Sequence, residues 1–339
     1  MVALPAANAI LTEHLDTIEH ALRSAIGPEG GAIAAASRYV LGWEDERGAA
    51  TRATGKRIRP ALCLFAAGAA GGSIAEAMPG AVAVELVHNF SLVHDEVQDH
   101  DAERHHRPTL WARMGEGQAI NVGDFLFTRA TRALTEGPGD PLRRMRSLAV
   151  LSNAIERMIR GQWDDIDFES RESVSIEEYL AMVAGKTGAL LSAPLEIGAI
   201  LAGAAPEVSD AFGRWGLHVG AAFQAQDDYL GIWGDPGETG KSNTNDIARR
   251  KKTLPIVHGL ADATAGPVIR RIYAHDTVSP PDVAAVVAAL DAAGSGQFCR
   301  ARAVAQSAAA DALVSELGLE VATLERFRAI ASYLVERTA

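Results

Sequence analysis

The 339-residue chain is poor in several things, and each scarcity excludes a class of protein. Two cysteines, Cys63 and Cys299, are too few for a disulfide scaffold and too far apart for a metal-clip motif, so a reducing compartment is expected. Aromatic residues make up only 6%, and alanine is abundant where a sheet protein would carry Val, Ile, Thr and Tyr, so propensity leans toward helix. Positive charge is short: 32 Lys+Arg stand against 43 Asp+Glu, a net charge of −11, which argues against nucleic acid as a partner. No apolar run approaches the roughly 18 uncharged residues of a membrane span, the stretch from Ala61 to Gly72 being too short. The N-terminus has no positive n-region and meets Glu13 and Asp16 early, so it does not read as a signal peptide; a cytoplasmic protein without a transmembrane segment is expected. Neither a Walker loop nor Gly-x-Gly-x-x-Gly occurs, so a nucleoside triphosphate is not the natural ligand.

What is present is an ordinary globular composition, 48% hydrophobic and 22% charged. Apolar residues recur at three- and four-residue spacing over 8–24, 58–71, 75–98, 117–136, 142–172, 176–203, 207–234, 254–262, 282–293 and 298–337, which predicts about ten helices. Turn clusters at 71–72, 137–140, 234–237 and 279–282 separate them. No strand or hairpin signal and no Ser/Gly linker appears, so one all-α domain over 1–339 is expected.

Two acidic segments interrupt this pattern. Within Glu85 to Asp101, Asp99 falls one turn after Asp95, and His88 two turns before it, all within about 40° of one helical face. Carboxylates so placed repel unless a cation or water lies between them. Asp227 and Asp228 lie inside a strongly apolar stretch, where unpaired charges would be costly without a cation or a solvent-filled cavity. Only five lysines occur, at 56, 186, 241, 251 and 252, all in four short polar segments: compact ammonium groups sit where arginine is otherwise usual. Acidic pairs on two helices with interspersed cations describe a pocket for Mg²⁺ and a polyphosphate.

In order and spacing these segments resemble the trans-polyprenyl diphosphate synthases, from about residue 52 to 258. The resemblance is carried by Gly55-Lys56-Arg57-Ile58-Arg59-Pro60, by Asp95-Glu96-Val97-Gln98-Asp99 followed by Arg104 to Thr109, by Gly185-Lys186-Thr187-Gly188, by Phe223 to Asp228, and by Gly240-Lys241 through Asp246 to Lys251. It implies an all-helical bundle around a central cavity, and an enzyme that condenses isopentenyl diphosphate with an allylic diphosphate. Asp95, Asp99 and Asp227 would hold Mg²⁺, with Asp228 nearby. Arg104, Lys186, Lys241 and Lys251 would clamp the allylic diphosphate, Thr187 and Gln224 would offer oxygens to the developing cation, and Lys56, Arg59 and His88 would hold isopentenyl diphosphate.

The sequence departs from the family pattern at three positions. Glu96 stands for the usual second Asp and is expected beside the metals. His105 replaces the second Arg of a pair that contacts isopentenyl diphosphate, and Gly231 replaces the last Asp of the second motif. Phe90, five residues before Asp95, resembles the product-length floor of synthases that stop at geranylgeranyl diphosphate, C20. Farnesyl diphosphate synthase, a terpene cyclase on the same fold and a non-catalytic partner subunit are the alternatives. The resemblance also implies a homodimer.

Overall fold

The apolar periodicities become helices in the computed structural model, which describes residues 3–27, 31–51, 55–104, 107–234 and 245–335. Cα proximity divides the chain into two compact units. Unit one comprises Asn8–Asn153 and Ala193–Gly213; unit two comprises Met1–Ala7, Ala154–Ser192 and Arg214–Ala339.

Unit one is built on α5 (Ile74–Gln98), the helix that carries the first acidic pair. It is apolar nearly all round, with Ala77, Ala81, Val84, Leu86, Val87 and Val93 buried, as expected of a helix surrounded by others. Helices α2 (Leu15–Ile26), α4 (Ile58–Ala69), α6 (Leu110–Met114) and α7 (Glu116–Glu136) pack against it, and the unit also holds α1 (Ala3–Thr12) from Asn8 onward, α3 (Gly31–Val40) and the start of α8 (Pro141–Ser170). Small residues set the approach distances: a β-carbon at Gly198 would lie 2.0 Å from the Cys63 carbonyl oxygen, and one at Gly123 would lie 2.2 Å from the His94 ring.

A buried ion-pair network ties the first basic motif to this frame. Arg57 donates to Glu19 (2.7 Å), to Glu85 (2.8 Å) and to the Leu41 carbonyl (2.7 Å), while the Trp43 indole donates to the other oxygen of Glu19 (2.5 Å). Its backbone is left-handed, φ 48°, a conformation that costs a non-glycine residue of order 1–3 kcal/mol and is held here by those contacts. Arg57 is therefore a structural member of the motif, joining α2, α4 and α5.

Unit two contains the rest of α8, α9 (Ile176–Val183), a π-turn (Ala184–Gly188), the start of α10 (Ala189–Ala202), and α11 (Pro206–Trp233) from Arg214 onward. It continues with α12 (Asn245–Ala248), α13 (Leu254–Ala261), α14 (Ala265–Tyr273), α15 (Pro280–Ala292), α16 (Ser295–Ser315) and α17 (Val321–Val335). One apolar cluster gathers Phe168, Tyr179, Met182, Val183, Ala225, Leu254, Val257 and Cys299; another gathers Ile232, Ile247, Ile256, Ile269, Val286 and Leu290. Reciprocal capping boxes start α9 (Ser175 with Glu178) and α15 (Ser279 with Asp282), each satisfying two otherwise orphaned N–H groups.

Several expectations are corrected. The 8–24 segment breaks into two helices between Thr12 and Leu15, and 298–337 breaks between Ser315 and Val321. Helices α3, α6, α12 and α14 were not foreseen: α3 and α14 each pair a short apolar face with glycine nearby, and α6 and α12 are only five and four residues long. The 176–203 segment is interrupted by the π-turn. A two-residue hairpin, Glu103–Arg104 against Arg107–Pro108, follows the first acidic motif; strands that short carry no alternation to read. The helical stretch Ile176–Ala202 has the length and mean hydropathy to cross a membrane, but 67% of its apolar window is buried in the fold.

Candidate active site

In unit one, the last turn of α5 presents Asp95 and Asp99, the latter as C-cap, its N–H donating to the Asp95 carbonyl (2.8 Å). Both side chains are partly buried. Glu96 turns to the other side: it is buried, its nearer carboxylate oxygen lies 3.8 Å from Arg104 Nη1, and burial outweighs Arg104 to push its pKa to about 7. Its neighbour in the fold is thus Arg104.

Arg104 is set by the hairpin, which is itself anchored. Tyr39 donates its hydroxyl to the Pro108 carbonyl (2.6 Å), Arg107 donates to the Glu44 carbonyl (2.9 Å), and the Arg107 and Arg113 guanidinium groups flank the Tyr39 ring at 4.3 and 4.0 Å. Arg104, Arg59 and His88 share one electrostatic neighbourhood: burial first, then Arg59, Arg104 and Arg57, hold the His88 pKa well below its usual value, so this imidazole is neutral at pH 7. Burial also lowers Arg59 to about 10 against the pull of Glu85. The Arg59 Nε is buried with no hydrogen-bond partner, an unusual state for a cation-bearing group. Lys56 is exposed at the start of the same motif. Phe90 is buried in edge contact with His94 (4.8 Å between centroids) and in tilted contact with Phe127 of α7 (5.5 Å).

In unit two, the π-turn carries Lys186 and Thr187. A turn of this kind has one residue too many for an α-helix and recurs at functional sites. Here it is wedged by glycines. A β-carbon at Gly161 of α8 would lie 2.4 Å from Lys186 N, one at Gly185 would lie 2.6 Å from the Arg157 carbonyl, and one at Gly220 of α11 would lie 3.1 Å from Gly188 Cα. Lys186 pairs with Asp165 of α8. Thr187 donates to Gln224 Oε1 (3.1 Å), whose Nε2 donates to Asp228 Oδ1 (2.9 Å).

Asp227 and Asp228, adjacent in sequence, have opposite fates. Asp227 is exposed on α11. Asp228 is only 5% exposed and accepts from the Tyr179 hydroxyl, from Leu254 N (2.9 Å) and from Gln224. Burial raises its pKa to about 6 despite these three donors. The reading that both carboxylates need a cation or a cavity is corrected for Asp228: protein donors satisfy it. Lys251 is partly buried after α12, its N–H donating to the Asp246 carbonyl (2.9 Å). A β-carbon at Gly231 would meet the Asp246 carboxylate at 3.5 Å, so a carboxylate lies next to the position where the second motif lacks one. His105 and Lys241 lie outside the described residues.

The sequence reading missed Asp165, Tyr179 and the wedge glycines. Tyr179 lies seven residues, two helical turns, before Lys186, a same-face spacing that could have flagged it. Among the described residues no three His, Cys, Asp or Glu side chains form a metal cage. Mg²⁺ does not require one, since it usually keeps several waters and takes one or two carboxylates plus phosphate oxygens. Asp95 with Asp99 in unit one, and Asp227 in unit two, are each hard oxygen donors of the type that ion takes.

The family model described as polyprenyl synthetase matches residues 48–290. A (2E,6E)-farnesyl diphosphate synthase of Mycobacterium tuberculosis is 41% identical over 309 residues, covering 89% of this chain and 85% of the relative. A geranylgeranyl diphosphate synthase of the same organism is 41% identical over 271 residues, covering 79% and 77%. The crystal structure of a polyprenyl synthetase from Streptomyces coelicolor superposes with a TM-score of 0.87 at 36% identity, covering 98% of this chain and 99% of the other. That of a geranylgeranyl pyrophosphate synthetase from Pyrococcus horikoshii gives 0.88 at 32%, covering 98% of each. With the motif helices formed as the resemblance requires and the match extending over most of the chain, this protein belongs to the polyprenyl synthetase family, the trans-prenyl diphosphate synthases.

Proposed function

We propose that this prenyltransferase joins isopentenyl diphosphate to an allylic diphosphate in a Mg²⁺-dependent reaction, with geranylgeranyl diphosphate as its product. The observation that carries the reading is buried Arg59, its Nε without a partner, close to neutral His88 and apart from the lysines of unit two. A terpene cyclase handles one diphosphate and has no use for a second basic site; a condensing enzyme does.

Asp95, Asp99 and Asp227 would hold Mg²⁺, which when bound would supply charge neutralisation at the departing pyrophosphate. The chain's own residues do the rest. Lys186, Lys241, Lys251 and Arg104 bind the allylic diphosphate, so that the C–O bond breaks with its electron pair leaving on pyrophosphate. Thr187 and Gln224 turn oxygens toward the allylic cation. Arg59, His88 and Lys56 orient isopentenyl diphosphate so that its double bond supplies the electrons of the new C–C bond. The adduct then loses a proton to the released pyrophosphate, and no separate base is needed.

The C20 assignment rests on Phe90. Its ring backing by Phe127 and His94 favours a second reading, the shorter C15 product, and the similarity to a farnesyl diphosphate synthase points the same way. Incubation with isopentenyl diphosphate and each allylic diphosphate, with chromatography of the dephosphorylated products, separates them. EDTA should abolish turnover, and Asp95→Ala or Asp227→Ala should lower it by about 10²-fold or more; activity indifferent to all three refutes the assignment. A homodimer in the cytoplasm completes the reading. Exposed Ile120 and Phe127 on α7, and Leu142 and Met145 on α8, supply apolar surface for pairing, and a solution mass equal to one chain, 35.8 kDa, would count against it.

A further inference from the structure

We infer that Tyr179 and Asp228 form a buried positioning relay that fixes which end of the Gln224 amide faces the reaction. The inference rests on the prenyl-transfer reading above and concerns residues that never touch substrate.

A glutamine amide has two nearly isosteric ends of opposite polarity, and only its hydrogen-bond partners decide which points where. At Gln224 the decision is made by Asp228. A carboxylate only accepts, so Gln224 must offer its NH₂ to Asp228 Oδ1, which leaves Oε1 for Thr187 on the other side. Thr187 donates its hydroxyl proton to that oxygen, which turns the lone pairs of its own Oγ1 outward. Both side chains are thereby committed to showing oxygen, the polarity a developing carbocation needs. With the amide reversed, N–H dipoles would oppose the same charge.

Asp228 is in turn fixed from behind. The Tyr179 hydroxyl from α9 and the Leu254 N–H at the start of α13 both donate to Oδ2, so the carboxylate cannot rotate away from Gln224 without losing a buried hydrogen bond. Tyr179 lies at the start of the helical stretch that leads through the π-turn to Thr187, and Asp228 lies one turn after Gln224 on α11. The relay therefore spans the two elements whose side chains it orients.

The test uses the full-length enzyme with isopentenyl and geranyl diphosphates in the presence of Mg²⁺. Asp228→Asn can donate as well as accept and frees the amide to reverse; kcat should fall about 30-fold, with KM for isopentenyl diphosphate within twofold of wild type. Adding Gln224→Glu should rescue it. The introduced asparagine then donates to one oxygen of the introduced glutamate, the other oxygen meets Thr187 in either orientation, and the charge of the pair is unchanged. The double variant should recover at least fivefold in kcat over Asp228→Asn. Tyr179→Phe, the mildest change, should lower kcat about fivefold through one lost hydrogen bond. The relay is refuted by wild-type kcat in Tyr179→Phe, by kcat within threefold of wild type in Asp228→Asn, or by a double variant no faster than the single one. Should the Asp228→Asn enzyme fail to fold, as judged by its melting transition, Tyr179→Phe decides alone. A wild-type enzyme that forms no longer prenyl diphosphate would instead refute the functional reading.

Discussion

Gly161→Ala puts the wedge behind the π-turn to a direct test. The new methyl carbon would lie 2.4 Å from Lys186 N, 2.8 Å from the Met182 carbonyl oxygen and 3.0 Å from Lys186 Cα. Ordinary contact begins at 3.4 Å, so the closest approach must open by 3.4 − 2.4 = 1.0 Å. Every atom in the way is backbone, and no side chain can rotate aside. The π-turn must therefore move away from α8, taking Lys186 and Thr187 with it. A displacement of about 1 Å in groups that position a reacting substrate costs up to roughly 10²-fold, and overpacking of this kind costs about 1–3 kcal/mol in stability. Steady-state kinetics and urea unfolding of the same preparation read both effects. Gly188→Ala is the internal control: its nearest contact would be the tip of the Leu217 side chain at 3.4 Å, so activity should stay within about threefold of wild type. A Gly161→Ala enzyme as fast as wild type would mean that the turn is not held by close packing at all.

Two further outcomes are expected. Phe90→Ala, and more weakly Phe127→Ala, should lengthen the product by at least one isoprene unit, because Phe127 supports the Phe90 ring from α7; unchanged product chromatograms for both would remove these rings from the length-setting wall. His88, held neutral by burial and neighbouring arginines, refuses a proton that the unfolded chain accepts below about pH 6.5. Its contribution to stability is thus present above that pH and lost as pH falls through it, so His88→Gln should flatten the decline in urea midpoint between pH 7.5 and 5.5, and parallel declines would contradict it.

The placement of several candidate site residues was legible because they sit on strongly periodic helices. Asp95 and Phe90 fall on α5 with Asp99 as its C-cap, and Gln224 and Asp227 fall on α11, with element boundaries within a residue or two of those predicted. What was not legible depends on partners distant in sequence. Asp228 looked like a charge in need of a cation because Tyr179, 49 residues away, and the Leu254 N–H could not be seen to reach it. Arg57 read as one more cation of a basic motif until Glu19 and Glu85 closed around it. The π-turn left no periodic signal of its own: Gly185 and Gly188 stood only as members of a resemblance segment, and only packing shows Gly185 and Gly220 to be contact points between backbones. Two lysines whose roles the resemblance supplied fared differently, Lys186 pairing with Asp165 and Lys251 keeping its side chain partly exposed.

The stretch Ile176–Ala202 has a consequence for biogenesis. It leaves the ribosome as 27 residues of mean hydropathy 1.2 over its apolar window, before α11, α13 and α16 have been synthesised to cover it. To the translocation machinery such a nascent segment presents the length of a bilayer-spanning helix. Lys186, ten residues in from Ile176, places an ammonium near its middle, where insertion costs roughly 2.5–3.5 kcal/mol. The cation assigned to the allylic diphosphate thus also biases the unfinished chain against insertion while its packing partners are still being made.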